Sequence, residues 1–170
     1  MEVYIRAESP ADYDAIDRLN ELAFGQPQEA ALIRRLRLRT DFIPQLSLLA
    51  FLEEQAVGHI LFSPIVIEHG QGRQPALALA PMAVHPAHQR RGIGSRLVRQ
   101  GLERARALGH ASVIVLGHAA YYPRFGFQPA ARWGIEPPFD VPSEVFMALE
   151  LRPGALLAGR VRYPPEFAEV

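Results

Sequence analysis

Gln89-Arg90-Arg91-Gly92-Ile93-Gly94 joins an apolar strand to a long amphipathic helix, with two glycines at the junction. At a helix start the first backbone N–H groups lack intrahelical acceptors, and the aligned peptide dipoles make that end partly positive. A phosphate satisfies both. Gly92 and Gly94 let the backbone approach such a ligand without Cβ clashes, and Arg90 and Arg91 add charge-assisted donors. The stretch is not a Walker loop, because no Gly-Lys-[Ser/Thr] follows and the chain contains no lysine. The dinucleotide fingerprint fails as well: its third glycine would fall at Leu97, and no acidic residue stands in register about 20 residues on.

The surrounding residues are more specific. Upstream, Ala76 to Val84 reads as an apolar strand interrupted by Pro81 and followed by His85-Pro86. A proline cannot donate to a sheet ladder, so Pro81 argues for a bulge or a local splaying that frees backbone groups. Downstream, Ile93, Leu97, Val98, Gly101, Leu102, Ala105 and Leu108 recur at helical spacing, opposite Arg96, Arg99, Gln100, Glu103, Arg104 and Arg106, until Gly109 stops the helix. A buried strand, Ala111 to Leu116, leads into Gly117-His118-Ala119-Ala120-Tyr121-Tyr122-Pro123-Arg124-Phe125-Gly126-Phe127.

From Leu79 to Phe127 the chain resembles the core of the GNAT superfamily of acetyl-CoA-dependent N-acetyltransferases. The resemblance rests on the strand ending Ala83-Val84-His85-Pro86, the Gln-x-x-Gly-x-Gly loop, its helix, and Tyr122-x-x-x-Gly126-Phe127 after the next strand. Tyr121 to Phe127 and the tail Phe146 to Leu151 resemble small stand-alone bacterial members. The implied cosubstrate is acetyl-CoA, its pyrophosphate on the N–H groups of Arg91, Gly92, Ile93, Gly94 and Ser95, with Gln89 and Arg90 beside them. Backbone around Met82, Ala83 and Val84 would pair with the pantetheine amides, and Tyr122 and Phe125 would complete the cofactor contacts. An ordinary β-bulge is the other reading of that strand.

Acetyl transfer to an amine needs an oxyanion donor, a base for the amine proton and an acid for the thiolate. The Met82 N–H is the candidate oxyanion donor. Tyr122 is the candidate acid, because the resemblance places its hydroxyl near the thioester sulfur; Tyr121 competes with it, and both rings could equally be core aromatics. Many family members carry a glutamate on the strand before the loop, but Ala76 to Val84 has no carboxylate. His118, at the end of the Val113 strand, is the candidate base, imidazole being the side chain whose unperturbed pKa of about 6.5 suits that role. Glu21, His59, Glu68 and a water chain stay open. The usual asparagine after this strand is replaced by Gly117-His118.

At 170 residues the chain suits one domain, 1–170. Its 18 arginines balance 18 acidic residues, so no surface footprint for nucleic acid or anionic membrane is expected. Between Arg73 and Arg106, arginines face Glu103 alone, which suits a polyphosphate ligand; a solvated helix face is the alternative beyond Arg91. The absence of cysteine removes thiolate metal sites and thiol nucleophiles, and the histidines lack helical His-x-x-x-His spacing, so no metal is expected. No leader pattern or membrane-length apolar run is present, which gives a cytoplasmic protein as the simplest reading, with a homodimer left open.

Val3 to Ala7, Leu46 to Leu52, Val57 to Ile67 and Val145 to Leu151 read as further strands, and Ala11 to Ala23 and Gln28 to Arg37 as helices. Ser9 caps the first helix, Pro64 marks a bend, Arg132 to Pro142 is a loop, and Ala155 onward is a short tail. The order predicts an α/β fold with a mixed sheet covered on both faces. The resemblance makes it a GNAT-type mixed central β-sheet flanked by helices and splayed between the fourth and fifth strands. Its acceptor would be a primary amine, cationic on arrival, facing Glu136, Asp140 and Glu144 beside Trp133 and Phe139. A non-catalytic acyl-CoA-binding module and a nucleotide-binding regulatory domain are the competing functions.

Overall fold

The computed structural model describes residues 2–70 and 72–169. The elements run β1 (Val3–Ala7), α1 (Tyr13–Phe24), α2 (Gln28–Arg37), β2 (Ser47–Leu52), β3 (Gln55–His69), β4 (Gly72–Val84), α3 (Ile93–Ala107) and β5 (Ser112–Leu116). Then follow β6 (Gln128–Pro129), β7 (Ile135–Glu136), β8 (Phe146–Glu150) and β9 (Gly159–Arg162). The strands form one mixed nine-stranded sheet ordered β1-β2-β3-β4-β5-β8-β6, with β9 on β3 and β7 on β9. Two compact units divide the chain: Met1–Ser63, Ala80–Arg104 and Pro165–Val170 in the first, Pro64–Leu79 and Ala105–Pro164 in the second.

In the first unit, α1 and α2 bury Ile16, Leu19, Leu32, Ile33 and Leu36 against Leu49, Phe51 and Leu61 of β2 and β3. The chain enters α1 through a turn of 3-10 helix, Pro10–Asp12, where an α-helix was expected from Ala11. Asp12 explains the tight turn. Its carboxylate accepts from the Ser9 backbone N–H at 2.8 Å while the Asp12 N–H donates to the Ser9 carbonyl at 2.9 Å, and 3-10 geometry is common at such ends. Gly25, with φ +68, ends α1 in a left-handed cap.

Helix α3 lies unusually close to β3. A Cβ on Gly58 would stand 3.0 Å from both Ile93 and Leu97, and one on Gly101 would stand 2.1 Å from the Phe62 ring. Bare Cα atoms at those two points let Ile93, Leu97 and Val98 become fully buried.

Beneath α1 runs a polar chain that no local pattern announces. The Arg37 guanidinium donates to both Glu8 carboxylate oxygens, at 2.9 and 3.0 Å, and the Ser47 hydroxyl donates to Glu8 Oε1 at 2.5 Å. Since the serine proton is spent on Glu8, His59 Nε2–H is the donor in the 2.9 Å contact with Ser47 Oγ. His59 Nδ1 then faces the Asn20 amide at 3.4 Å, and that amide also donates to the Ile16 carbonyl at 2.9 Å. Ser47, His59 and Asn20 are fully buried. Burial, reinforced by the nearby Arg37 charge, pushes the His59 imidazole down to about 3.

In the second unit, β5 pairs with β8 over its whole length, Ser112↔Glu150 to Leu116↔Phe146, and with β4 in parallel at Leu77↔Val113 and Ala78↔Ile114. Pro64, expected to mark a bend, lies inside the continuous β3. The outer end of that strand is held by β9, through Val66↔Arg162 to Glu68↔Arg160, where only a tail was expected. Gly159 starts β9 because a Cβ there would stand 2.4 Å from the Glu68 carbonyl oxygen. The expected Arg132 to Pro142 loop contains β7, which pairs in parallel with β9 at Ile135↔Gly159 and Glu136↔Arg160.

His59 makes stability depend on pH. Its imidazole stays neutral in the fold down to about 3 but takes a proton near 6.5 in the unfolded chain, so between these values the unfolded state holds more protons. Stability is therefore complete above pH 6.5 and falls as the pH drops toward 3, by at most about 1.4 kcal/mol per pH unit for one such group. Urea unfolding across that window should show a shallower pH slope for His59→Gln than for the wild type; parallel slopes would exonerate the histidine.

Candidate active site

Candidate residues of the first unit lie on the end of β4, the turn after it and the start of α3. Met82 and Val84 are half-buried and Ala83 is buried. The His85 N–H donates to the Val57 carbonyl at 2.8 Å, which holds the chain against β3 as it leaves β4. His85 Nδ1 accepts from the Ala87 N–H at 3.1 Å and the His88 N–H returns to the His85 carbonyl at 2.8 Å, closing a single 3-10 turn. Gln89 folds back, its side-chain amide donating to the Val84 carbonyl at 3.1 Å. This glutamine therefore ties the two ends of the turn together.

Arg90 and Gly92 then both adopt left-handed backbone, φ +64 and +80, while Arg91 between them keeps a negative φ. Such alternation turns successive N–H groups toward one side, the concave arrangement that receives anions. Arg90, Arg91 and Gly92 are exposed, and the Arg96 N–H to Gly92 carbonyl bond of 3.1 Å opens α3. Nothing lies within 4 Å of a Cβ built on Gly92, so glycine is required there by backbone conformation and not by crowding within the chain. Buried Ile93 fixes the helix start, and Gly94 and Ser95 follow it half-buried in the first turn.

In the second unit, Gly117, His118, Tyr121, Tyr122 and Phe125 share the turn after β5. The His118 carbonyl accepts the N–H groups of Tyr121 and Tyr122, at 3.0 and 3.4 Å, while its imidazole is exposed. Tyr122 is 7% exposed. Its ring meets Tyr121 edge-on at 5.1 Å and Phe127 at 5.7 Å, with Phe125 at 6.3 Å. Burial, aided by Tyr121, pushes the Tyr122 hydroxyl up to about 12, so it keeps its proton at neutral pH. Tyr121 is half-buried and carries the Arg124 guanidinium 4.6 Å above its ring, held by an Arg124 Nε bond of 3.0 Å to the Tyr121 carbonyl. Gly126, φ +100, ends the turn.

The Arg132 to Pro142 segment, in the same unit, is anchored by aromatic rings. Phe139 stacks on Tyr163 at 6.0 Å and meets Phe146 edge-on at 6.2 Å, yet stays 43% exposed. Glu136 pairs with Arg160 at 3.2 Å on the surface, while Asp140 and Glu144 are exposed.

Among the residues considered for the base, His59 is occupied in the buried chain under α1 and closed to solvent. Glu68 is engaged by Arg162 at 2.6 Å, and Glu21 is exposed on α1. Among the described residues no group of three or more His, Asp or Glu side chains could hold a metal ion, and no helix is long and apolar enough to cross a membrane.

The backbone geometry makes opposite demands at two loop positions. Arg90→Gly should leave stability unchanged or raise it by up to about 1 kcal/mol, because an L-residue bears a cost in left-handed backbone that glycine does not. Gly92→Val should lower it by about 1–3 kcal/mol, a β-branched side chain being a true outlier at positive φ. Urea denaturation of both variants checks the pair, and equal midpoints would show a loop built differently.

The sequence model described as the Acetyltransferase (GNAT) family matches residues 14–127. The uncharacterised N-acetyltransferase YjhQ of Escherichia coli K12 is 43% identical over 136 residues, covering 79% of this chain and 75% of its own. The crystal structure of Escherichia coli YhbS, a GNAT family N-acetyltransferase in complex with CoA, superposes with a TM-score of 0.89 at 32% identity, covering 98% of this chain and 92% of that one. A GNAT family acetyltransferase from Brucella melitensis in complex with acetyl-CoA gives a TM-score of 0.80 at 32% identity, covering 98% of both chains. With the left-handed loop running into α3 and the β4 and β5 strands in parallel, these likenesses agree on one conclusion: the chain belongs to the GNAT family of acetyltransferases.

Proposed function

We propose that the protein moves the acetyl group of acetyl-CoA directly to a primary amine, within one acetyltransferase domain spanning 1–170. The observation that carries the reading is the left-handed turn at Arg90 and Gly92 feeding the start of α3, in a chain 32% identical to relatives crystallised with CoA and acetyl-CoA. Arg91 to Ser95 hold the pyrophosphate through their N–H groups, flanked by Gln89 and Arg90. Met82, Ala83 and Val84 offer β-strand backbone to the pantetheine amides, and the Met82 N–H stabilises the developing oxyanion.

Tyr122 donates its proton to the departing thiolate, and His118 accepts the proton of the attacking amine. The exposed imidazole can exchange that proton with bulk water. The amine attacks the thioester itself on this reading, the obvious thiol carrier being absent from the chain, with Ser or His the other groups that could carry an acetyl. The acceptor is a cationic amine, drawn to the exposed Asp140 and Glu144 beside the half-exposed Phe139 ring.

Initial rates with acetyl-CoA and a panel of polyamines, amino acids, aminoglycosides and peptide N-termini test the reading. Lines that intersect, with CoA released only when an amine is present, are expected. Acetyl-CoA binding without thiol release from any amine would make the chain an acyl-CoA-binding module. Tyr122→Phe should lower kcat by about 10²-fold with acetyl-CoA affinity little changed, and Tyr121→Phe should be milder. The reverse ranking would name Tyr121 as the acid.

A further inference from the structure

We infer that Gly117 is a positioning residue: its bare Cα is the seat on which the Tyr122 ring is set. A Cβ added at Gly117 would stand 2.4 Å from Tyr122 Cε2, 3.0 Å from Cδ2 and 3.4 Å from Cζ. Carbon atoms in ordinary contact lie about 3.5–4.0 Å apart, so any side chain at 117 must displace the ring by an ångström or more. Neither partner has an easy retreat. The Gly117 N–H is tied to the Val145 carbonyl at 2.9 Å, and Tyr121, Phe125 and Phe127 surround the ring. Unlike Gly126, Gly117 does not have the positive φ that favours glycine, so its backbone alone does not require that residue. Contact with the ring does.

A side chain at 117 and the Tyr122 ring, as it now lies, cannot share the same space. The hydroxyl rides on the displaced ring, so its position is set from five residues upstream. The catalytic consequence rests on the reading of Tyr122 as the acid; the seating itself does not. A misplacement of about 1 Å can cost on the order of 10²-fold in rate.

Gly117→Ala tests both levels. It should lower kcat by about 10- to 100-fold while the KM for acetyl-CoA changes less than about threefold. In a Tyr122→Phe background the same substitution should still lower stability, because the crowded atoms are ring carbons that phenylalanine shares, yet kcat should fall no further. With 13C-labelled tyrosine, the Tyr122 resonance should stay put up to pH 11 in the wild type and begin to titrate below that pH in Gly117→Ala, as the displaced hydroxyl meets water. Equal kcat losses in the wild-type and Tyr122→Phe backgrounds, or unchanged kcat together with an unchanged Tyr122 resonance, would overturn the inference. A shifted resonance with unchanged kcat would uphold the seat and reject Tyr122 as the acid. Should Gly117→Ala fail to fold, Tyr122→Ala supplies the reference background: with no ring left to crowd, Gly117→Ala/Tyr122→Ala should be as stable as Tyr122→Ala alone, and a further loss of stability would overturn the seat.

Discussion

Two bare Cα atoms, Gly58 on β3 and Gly101 on α3, let the helix lie directly on the strand, and much of the first unit depends on that approach. With the gap closed, Ile93 and Leu97 are buried against Gly58 of β3, and Val98 is buried with them. Each such side chain contributes about 1.5–3 kcal/mol. Their sum exceeds the roughly 1–2 kcal/mol that a left-handed Arg90 costs. Packing therefore fixes the helix start, and the loop must adopt whatever backbone reaches it. The strain sits on the turn between β4 and α3 because that is where the chain has to change direction within a few residues.

The polar chain under α1 acts through pairing where the α3 contact acts through packing. Arg37, Glu8, Ser47, His59 and Asn20 come from two helices, two strands and the connection after β1, and are linked one to the next, with Asn20 Oδ1 left as a buried oxygen without a partner. A buried chain of this kind contributes modest net stability but penalises any arrangement that leaves one member unpaired. It sets how α1 and α2 seat on β2 and β3 more sharply than the apolar contacts, which tolerate sliding. The neutrality of His59 is a consequence of that assignment: burial lowers it, and its ring has one donor and one acceptor role already filled.

The loop and its helix were legible in the sequence because their signals are local: glycines at a turn and apolar residues at helical spacing. Four other features were not. β9 is four residues with arginine at two of them, and its strand character comes from Val66 to Glu68 opposite. The histidine at 59 reads like any lone histidine until Ser47 and Asn20 are placed beside it. Pro64 signalled a bend that pairing on β9 overrides. Gly117 carries no turn signature because its glycine answers to a ring five residues away, a contact that exists only in the folded chain. Tyr122 was singled out by resemblance, and its burial among Tyr121, Phe125 and Phe127 gives the physical content that the resemblance lacked.

Burial of Tyr122 has two opposing effects on an acid. A hydroxyl raised to about 12 is protonated at neutral pH, which a proton donor requires. Its proton is also held more tightly than an alkyl thiol in water, near 8.5, would hold it, so transfer to a fully solvated thiolate would be uphill by about 5 kcal/mol. On the proposed reading, a thiol beside Tyr122 would be raised by the same low-dielectric surroundings as the phenol, because both conjugate bases are anions that lose hydration. Matching therefore depends on the thiolate being formed against the aromatic wall and not in water. With Tyr122 as the proposed acid, transfer would occur between two groups shifted in the same direction, the proton moving as the carbon–sulfur bond breaks. On that proposed role, the seat of the ring, and hence the missing side chain at 117, would be a matter of rate as well as packing.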